Sequence, residues 1–334
     1  MSKVNKNKCA VIGIGSPLLD IVIEIEDDAL EKMNFEKGSM NLISKDQSLD
    51  IENETKAYKK QIIPGGSSAN AISGVNVLGT RAGFMGMIGE DEYGREYKEK
   101  TQQEGVVLYL HNHSSDATGH AFTFITPDGE RTFATHLGAA SGLDKEHIDR
   151  EEIENAKIFH IEAYQLEDPL VCRAIFHAIA IAKNSDTKIS LDLSNRGLVA
   201  RNKALFEDVI KEHIDIVFAN EDEAREFTGK ESEEALNDIS DMCEIAVVKL
   251  GERGSLIKTK DVVYRFKPNK VEVENTNGAG DMYAAGILHG IANDMDFEEA
   301  GDIASYVSSL VVASPGARLH EKHIDSVRKY LPKK

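Results

Sequence analysis

Two short runs far apart in the chain carry residue types that could do chemistry together. Asn275-Thr276-Asn277-Gly278-Ala279-Gly280-Asp281 precedes an apolar stretch of helical length, Met282 to Ala292. Small residues at the mouth of a helix let backbone N–H groups converge on an anion, and the helix dipole adds to the attraction. A phosphate-sized pocket is expected at Gly278, Ala279 and Gly280. Asp281, in the first turn, would face that pocket, where a carboxylate is useless for binding the anion but can accept a hydroxyl proton. The pairing points to phosphoryl transfer. The same residues also read as a glycine-rich loop entering a helix, with Asp281 complementing the dipole. The second run, Pro64-Gly65-Gly66-Ser67-Ser68-Ala69-Asn70, allows close backbone approach to a ligand and projects the Asn70 amide from a helix start. Hydroxyls of a polyol would suit it, as would plain N-capping of the helix.

A parallel sheet built from βα units is what would position such loops. After residue 140 the runs Lys157 to Ile161, Lys188 to Leu193, Ile214 to Ala219 and Glu244 to Leu250 read as strands. Between them Pro169 to Lys183, Leu198 to Lys211 and Glu221 to Thr228 read as helices. This rhythm predicts an α/β fold, doubly wound, with a mostly parallel sheet and helices on both faces. Ser67 to Leu78 and Asp91 to Glu104 read as helices around a core strand at Gly83 to Ile88. Two stretches, Leu19 to Ile43 and Val106 to Thr135, instead show successive strands, the second containing a hairpin turned by Pro127-Asp128-Gly129-Glu130. They predict a small β-sheet lid. Residues 17–63 and 106–135 are assigned to the lid, and 1–16, 64–105 and 136–334 to the core.

Composition narrows the partners. The net charge of −18 and the lack of any Lys/Arg block argue against nucleic acid and anionic membranes as partners. No apolar run is long enough to span a bilayer. Cys9, Cys172 and Cys243 lie far apart without a C-x-x-C pair, which fits a reducing, cytoplasmic setting. Gly13-x-Gly15 has Leu18 where a dinucleotide fingerprint needs its third glycine, and no G-x-x-x-x-G-K-[ST] run occurs.

Gly65-Gly66-x-x-x-Asn70 and Thr276-x-Gly278-Ala279-Gly280-Asp281, in this order, resemble the two signature motifs of the PfkB/ribokinase family of carbohydrate and nucleoside kinases. The resemblance spans essentially the whole chain. Asn220-Glu221-Asp222-Glu223 is similar to the family's N-x-x-E element, and Leu250-Gly251-Glu252-Arg253-Gly254 to its nucleotide-binding turn. It implies a Rossmann-like, ribokinase-like core with a lid, ATP and Mg²⁺ as co-substrates, and transfer of the γ-phosphoryl group to a primary alcohol. Asp281 would be the base, with the backbone of Gly278, Ala279 and Gly280 holding the transferring phosphate. Lys249, Gly251, Gly254, Thr276 and Asn220 would bind the nucleotide, and Asn220 and Glu223 would organise Mg²⁺ through its waters. Gly15-Ser16-Pro17-Leu18-Leu19-Asp20 resembles a segment of adenosine kinases whose aspartate binds two ribose hydroxyls. Asp20, Gly65, Gly66, Ser67 and Asn70 would then read the sugar, while Arg131 could reach the substrate or remain solvated.

Three positions depart from the pattern. Ser16 and Ala69 replace polar residues at the base end of adenosine kinases, and Asn275 replaces an aspartate that in relatives helps bind a monovalent cation. Dependence on K⁺ stays open. The expected activity is phosphorylation of a ribose-like primary hydroxyl, most simply on a nucleoside of the adenosine type. A free sugar such as ribose, fructose or a keto-deoxy sugar acid is the alternative, and a non-catalytic nucleotide-binding sensor the alternative of another class. The exposed edge of the lid sheet leaves a monomer and a lid-paired homodimer equally open.

Overall fold

Short apolar runs that pair in parallel must bury both faces. The computed structural model, which describes residues 8–260 and 262–331, shows what covers them. In chain order the strands are β1 (Val11–Ile14), β2 (Leu18–Glu24), β3 (Met40–Leu42), β4 (Lys60–Gly65), β5 (Ala82–Gly89), β6 (Val107–His113) and β7 (His120–Ile125). They continue with β8 (Arg131–His136), β9 (Ile158–Glu162), β10 (Lys188–Asp192), β11 (Ile216–Asn220), β12 (Ile245–Lys249), β13 (Ser255–Thr259) and β14 (Val262–Phe266). Among the described residues, nine strands form one sheet in the order β14-β13-β12-β11-β10-β9-β1-β5-β6. Pairing is parallel from β12 through β6, and the antiparallel β13 and β14 finish one edge.

Consecutive residues of the central strands enter opposite cores, as the two-residue period of a strand requires. Ile12, Phe159 and Val217 pack with the helices Pro169–Lys183 and Arg196–His213. Val11, Ile158 and Ile216 pack with the helices Ser67–Val77, Ala279–Ala292 and Phe297–Val312. The three layers are those of the doubly wound fold expected from the βα rhythm. Strand order reverses about β1, which lies between β5 and β9, so the crossovers diverge and leave a crevice at the carboxyl ends of β1 and β9.

The second sheet has the order β3-β8-β7-β2-β4. One face buries Ile21, Ile23, Phe122, Phe124 and Ala134 with Leu30 and Ile51 of the helices Asp27–Lys32 and Lys45–Glu54. Register places Asp20, Ala121 and Thr135 together on the other face, beside Val22, Thr123 and Phe133. That face looks toward the large sheet: the Tyr164 hydroxyl, just beyond β9, donates to the Met40 sulfur at 3.6 Å.

The lid boundaries need two corrections. Val107–His113, expected in the lid as part of 106–135, is β6 and pairs with β5 at the edge of the large sheet. An edge strand is only half-covered, so its pattern is not the continuous apolar run of a central strand. Residues 17–63 also contain the helix Lys45–Glu54, begun by a capping box between Ser44 and Gln47. Among the described residues no helix is long and apolar enough to cross a membrane, and all three cysteines are free.

Candidate active site

The loop before Ala279–Ala292 can be built only around a glycine. Gly278 has φ +75°, and a Cβ there would lie 2.1 Å from the Ala317 carbonyl oxygen. Asn275 holds the approach: its Oδ1 accepts from Asn277 N at 2.8 Å and its Nδ2 donates to Gly316 O at 2.5 Å. The latter bond needs an amide, so an aspartate here would face a carbonyl without a donor. Thr276 is exposed, and its carbonyl accepts from Ala279 N.

Lys249, the last residue of β12, brings its ammonium to this first turn, where a Cβ on Gly280 would lie 3.1 Å from Nζ. Two positive ends, a lysine and a helix N-terminus, would repel without an anion between them. Asp192, ending β10, offsets this with a buried ion pair of 2.8 Å to Lys249. Burial works to lower the Lys249 pKa, but Asp192 and Glu223 outweigh it and hold the group above its ordinary value. Glu223 is 2% exposed. Its carboxylate accepts from Asn220 N and Nδ2, each at 2.7 Å, while Asn220 Oδ1 accepts from Glu223 N. Burial first, then Asp192, pushes the Glu223 pKa up to about 7. Gly251 and Gly254 flank the turn that follows Lys249.

The two glycine-rich runs meet at Asp281. Its Oδ1 accepts from Ser67 Oγ at 2.8 Å and its Oδ2 from Asn70 Nδ2 at 2.9 Å. Burial raises its pKa and Asp192 adds to this, against the opposing effects of the two donors and Lys249. Such a carboxylate accepts a proton more readily than an exposed one. Gly66, at φ +89°, sits so near Ser16 that a Cβ would lie 2.3 Å from its carbonyl oxygen. Next to Gly65 stands Asp20, whose Oδ2 would lie 2.8 Å from a Gly65 Cβ. The Asp20 carboxylate accepts no hydrogen bond among the described residues, and burial lifts its pKa to about 6, with Asp281 raising it further and Arg318 and Arg131 opposing. Arg131, directly across from Ile125 on the hairpin, makes no ion pair among the described residues.

A family model for pfkB family carbohydrate kinases matches residues 37–323. The chain belongs to this family. It is 27% identical over 300 residues to a 5-dehydro-2-deoxygluconokinase of Clostridium botulinum, covering 84% of this chain and 87% of that one. It is 25% identical over 341 residues to adenosine kinase 2 of Arabidopsis thaliana, covering 93% and 96%. Among solved structures, adenosine kinase from Sinorhizobium meliloti superposes with TM-score 0.90 at 29% identity, covering 97% of this chain and all of that one. A probable sugar kinase from Rhizobium etli gives TM-score 0.89 at 28% identity, covering 96% and 98%. As a PfkB kinase the chain is a phosphotransferase that uses ATP and a hydroxyl acceptor on a small sugar or nucleoside.

In this PfkB kinase the structure gathers Asp281, Ser67 and Asn70 directly, with Asp20 and Gly65 adjoining them. Lys249 and Asn220 end neighbouring parallel strands, and Glu223 stands in the first turn of the helix Glu221–Thr228 that Asn220 caps. Three residues escaped the sequence reading. Glu162 ends β9 and is 2% exposed; it accepts from Ser16 N, Ser68 N and Gln165 Nε2 at 2.8 to 3.2 Å. Burial raises its pKa to about 7. Asp192 and Glu162 share one available signal, a carboxylate closing an otherwise apolar strand. Arg318, in the loop after Phe297–Val312, carries no local signal.

Proposed function

We propose that the chain transfers the γ-phosphoryl group of ATP to the primary hydroxyl of a ribose-containing substrate, a nucleoside of the adenosine type. The observation that carries this reading is the inner face of the small sheet. Beside the unpartnered carboxylate of Asp20 it presents Val22, Phe133, Met40 and Leu42, of which Met40 and Leu42 are 49% and 64% exposed. An acceptor-only carboxylate suits two vicinal hydroxyl donors, and a flat apolar surface next to it suits a base. Gly65, Gly66, Ser67 and Asn70 would frame the sugar between this face and Asp281.

In the reaction the acceptor oxygen forms a bond to the γ-phosphorus, the bond to the β,γ-bridging oxygen breaks, and ADP leaves. Asp281 takes the hydroxyl proton. With the Ala279 N–H given to the Thr276 carbonyl, the backbone N–H groups of Gly278, Gly280 and Asp281, with Lys249, would face the charge that develops on the phosphoryl oxygens. Gly251, Gly254 and Thr276 would border the nucleotide. Mg²⁺, when bound with ATP, neutralises phosphate charge. The donor set fits an ion held through waters: Asn220 and Glu223 already bond each other, and no three acidic, His or Cys side chains converge among the described residues.

Arg131 favours a second reading. Its charge on the lid, without an ion-pair partner among the described residues, could take the carboxylate of a sugar acid. ADP release with Mg²⁺-ATP against adenosine, inosine, guanosine, ribose, fructose and 5-dehydro-2-deoxygluconate separates the two. Turnover confined to a nucleoside is the expected result; turnover only on the sugar acid overturns it.

A further inference from the structure

One buried guanidinium ties the acceptor-side loop together. Arg318 is 6% exposed. Its Nε donates to Asn70 Oδ1 at 2.9 Å, its Nη2 to Gly65 O at 3.3 Å, and its Nη1 to Glu104 Oε2 at 2.6 Å and Thr101 Oγ1 at 3.4 Å. Glu104 is fixed in turn by Ser73 Oγ at 2.7 Å. A primary amide has one acceptor end and one donor end, so an Asn70 whose oxygen is taken by Arg318 must present its NH₂ to Asp281. The neighbouring residues extend the connection, since Ala317 packs on Gly278 and Gly316 O accepts from Asn275.

We propose that Arg318 is a positioning residue for the transfer: by holding Asn70 Oδ1 and Gly65 O it fixes the amide that orients Asp281 and sets the two glycine-rich loops at one spacing. The inference rests on the reading of Asp281 as proton acceptor. A lysine would keep the charge but lacks the planar fork that serves these four acceptors at once. Arg318→Lys therefore isolates geometry from charge.

The test uses the full chain. Turnover, KM for ATP and for adenosine, and the ¹³C carboxyl titration of Asp281, assigned with Asp281→Asn, are measured in wild type, Arg318→Lys and the milder Glu104→Gln. Asp192, Glu223, Glu162, Asp20 and Lys249 also act on Asp281, and all are unchanged in these variants. In Arg318→Lys, kcat falls about ten- to a hundredfold while KM for ATP stays within about threefold. The Asp281 midpoint moves up, because the Asn70 donor that lowers it is no longer held. Glu104→Gln moves it the same way by less. An unchanged Asp281 titration in the variants that fold, or a fall in melting temperature with kcat intact, overturns the proposal. If wild type phosphorylates none of the acceptors, the substrate reading fails instead, and the titration alone decides the role of Arg318.

Discussion

The proposed donor side and the proposed acceptor side of this cleft are built on different plans. At the ends of β10, β11 and β12 every charge has a partner from the chain itself: Lys249 has Asp192, and Glu223 has both nitrogens of Asn220. Under the small sheet the side chains of Asp20 and Arg131 feel each other's charge but make no ion pair within 4 Å and no hydrogen bond among the described residues, and Met40 and Leu42 face outward from the same surface. The difference teaches which groups are organised in advance. Phosphates present the same charges in every turnover, so the groups around them can be fixed by burial and mutual bonding. The acceptor loop around Asn70 and Asp281 is held by Arg318, but on the proposed reading the Asp20 and Arg131 side chains are completed by the ligand and describe it by complement.

The comparison breaks most severely at Lys249. Replacing it with Met leaves Asp192 buried without its counter-charge, and unfolding in urea should show a loss of about 3 kcal/mol. A loss below about 1 kcal/mol would mean that this side is not held by the pair. Next in size is Asp20→Asn, which removes a charged acceptor worth about 1.5–3 kcal/mol. KM for the acceptor should rise about ten- to a hundredfold with KM for ATP unchanged, and equal rises in both would erase the division. The smallest effect sharpens the substrate. Met40→Ser combined with Leu42→Ser should raise KM for adenosine about three- to tenfold, leave stability within about 0.5 kcal/mol, and leave any turnover of ribose unaffected. Equal losses on adenosine and ribose would argue that this surface does not meet a base.

Much of this arrangement is legible in the residues. Gly278 and Gly66 announce positions where backbone passes too close for a side chain, and the βα rhythm places both loops at strand ends. Glu223 stands in the first turn of a helix yet is buried, because the cation that offsets its charge, Lys249, comes from the following strand. Glu162 and Arg318 are hidden for the same reason: each acts through contacts made only after folding, Glu162 with the loop at Ser16 and the helix at Ser68, Arg318 with Asn70. Strand β6 lacks a core-strand pattern because half-coverage, not sheet membership, sets it.

The central claim is that both loops converge to make Asp281 the proton acceptor, and the pH dependence of turnover in wild type and Asp281→Asn tests it directly. A base must be ionised to act, so wild-type kcat/KM should fall as pH drops through a midpoint above the ordinary aspartate value, the direction in which burial moves this group. Asp281→Asn should lose at least about 10²-fold in kcat, lack that acid limb, and bind ATP as wild type does. Near wild-type turnover in the variant, or an unchanged acid limb, would contradict the account.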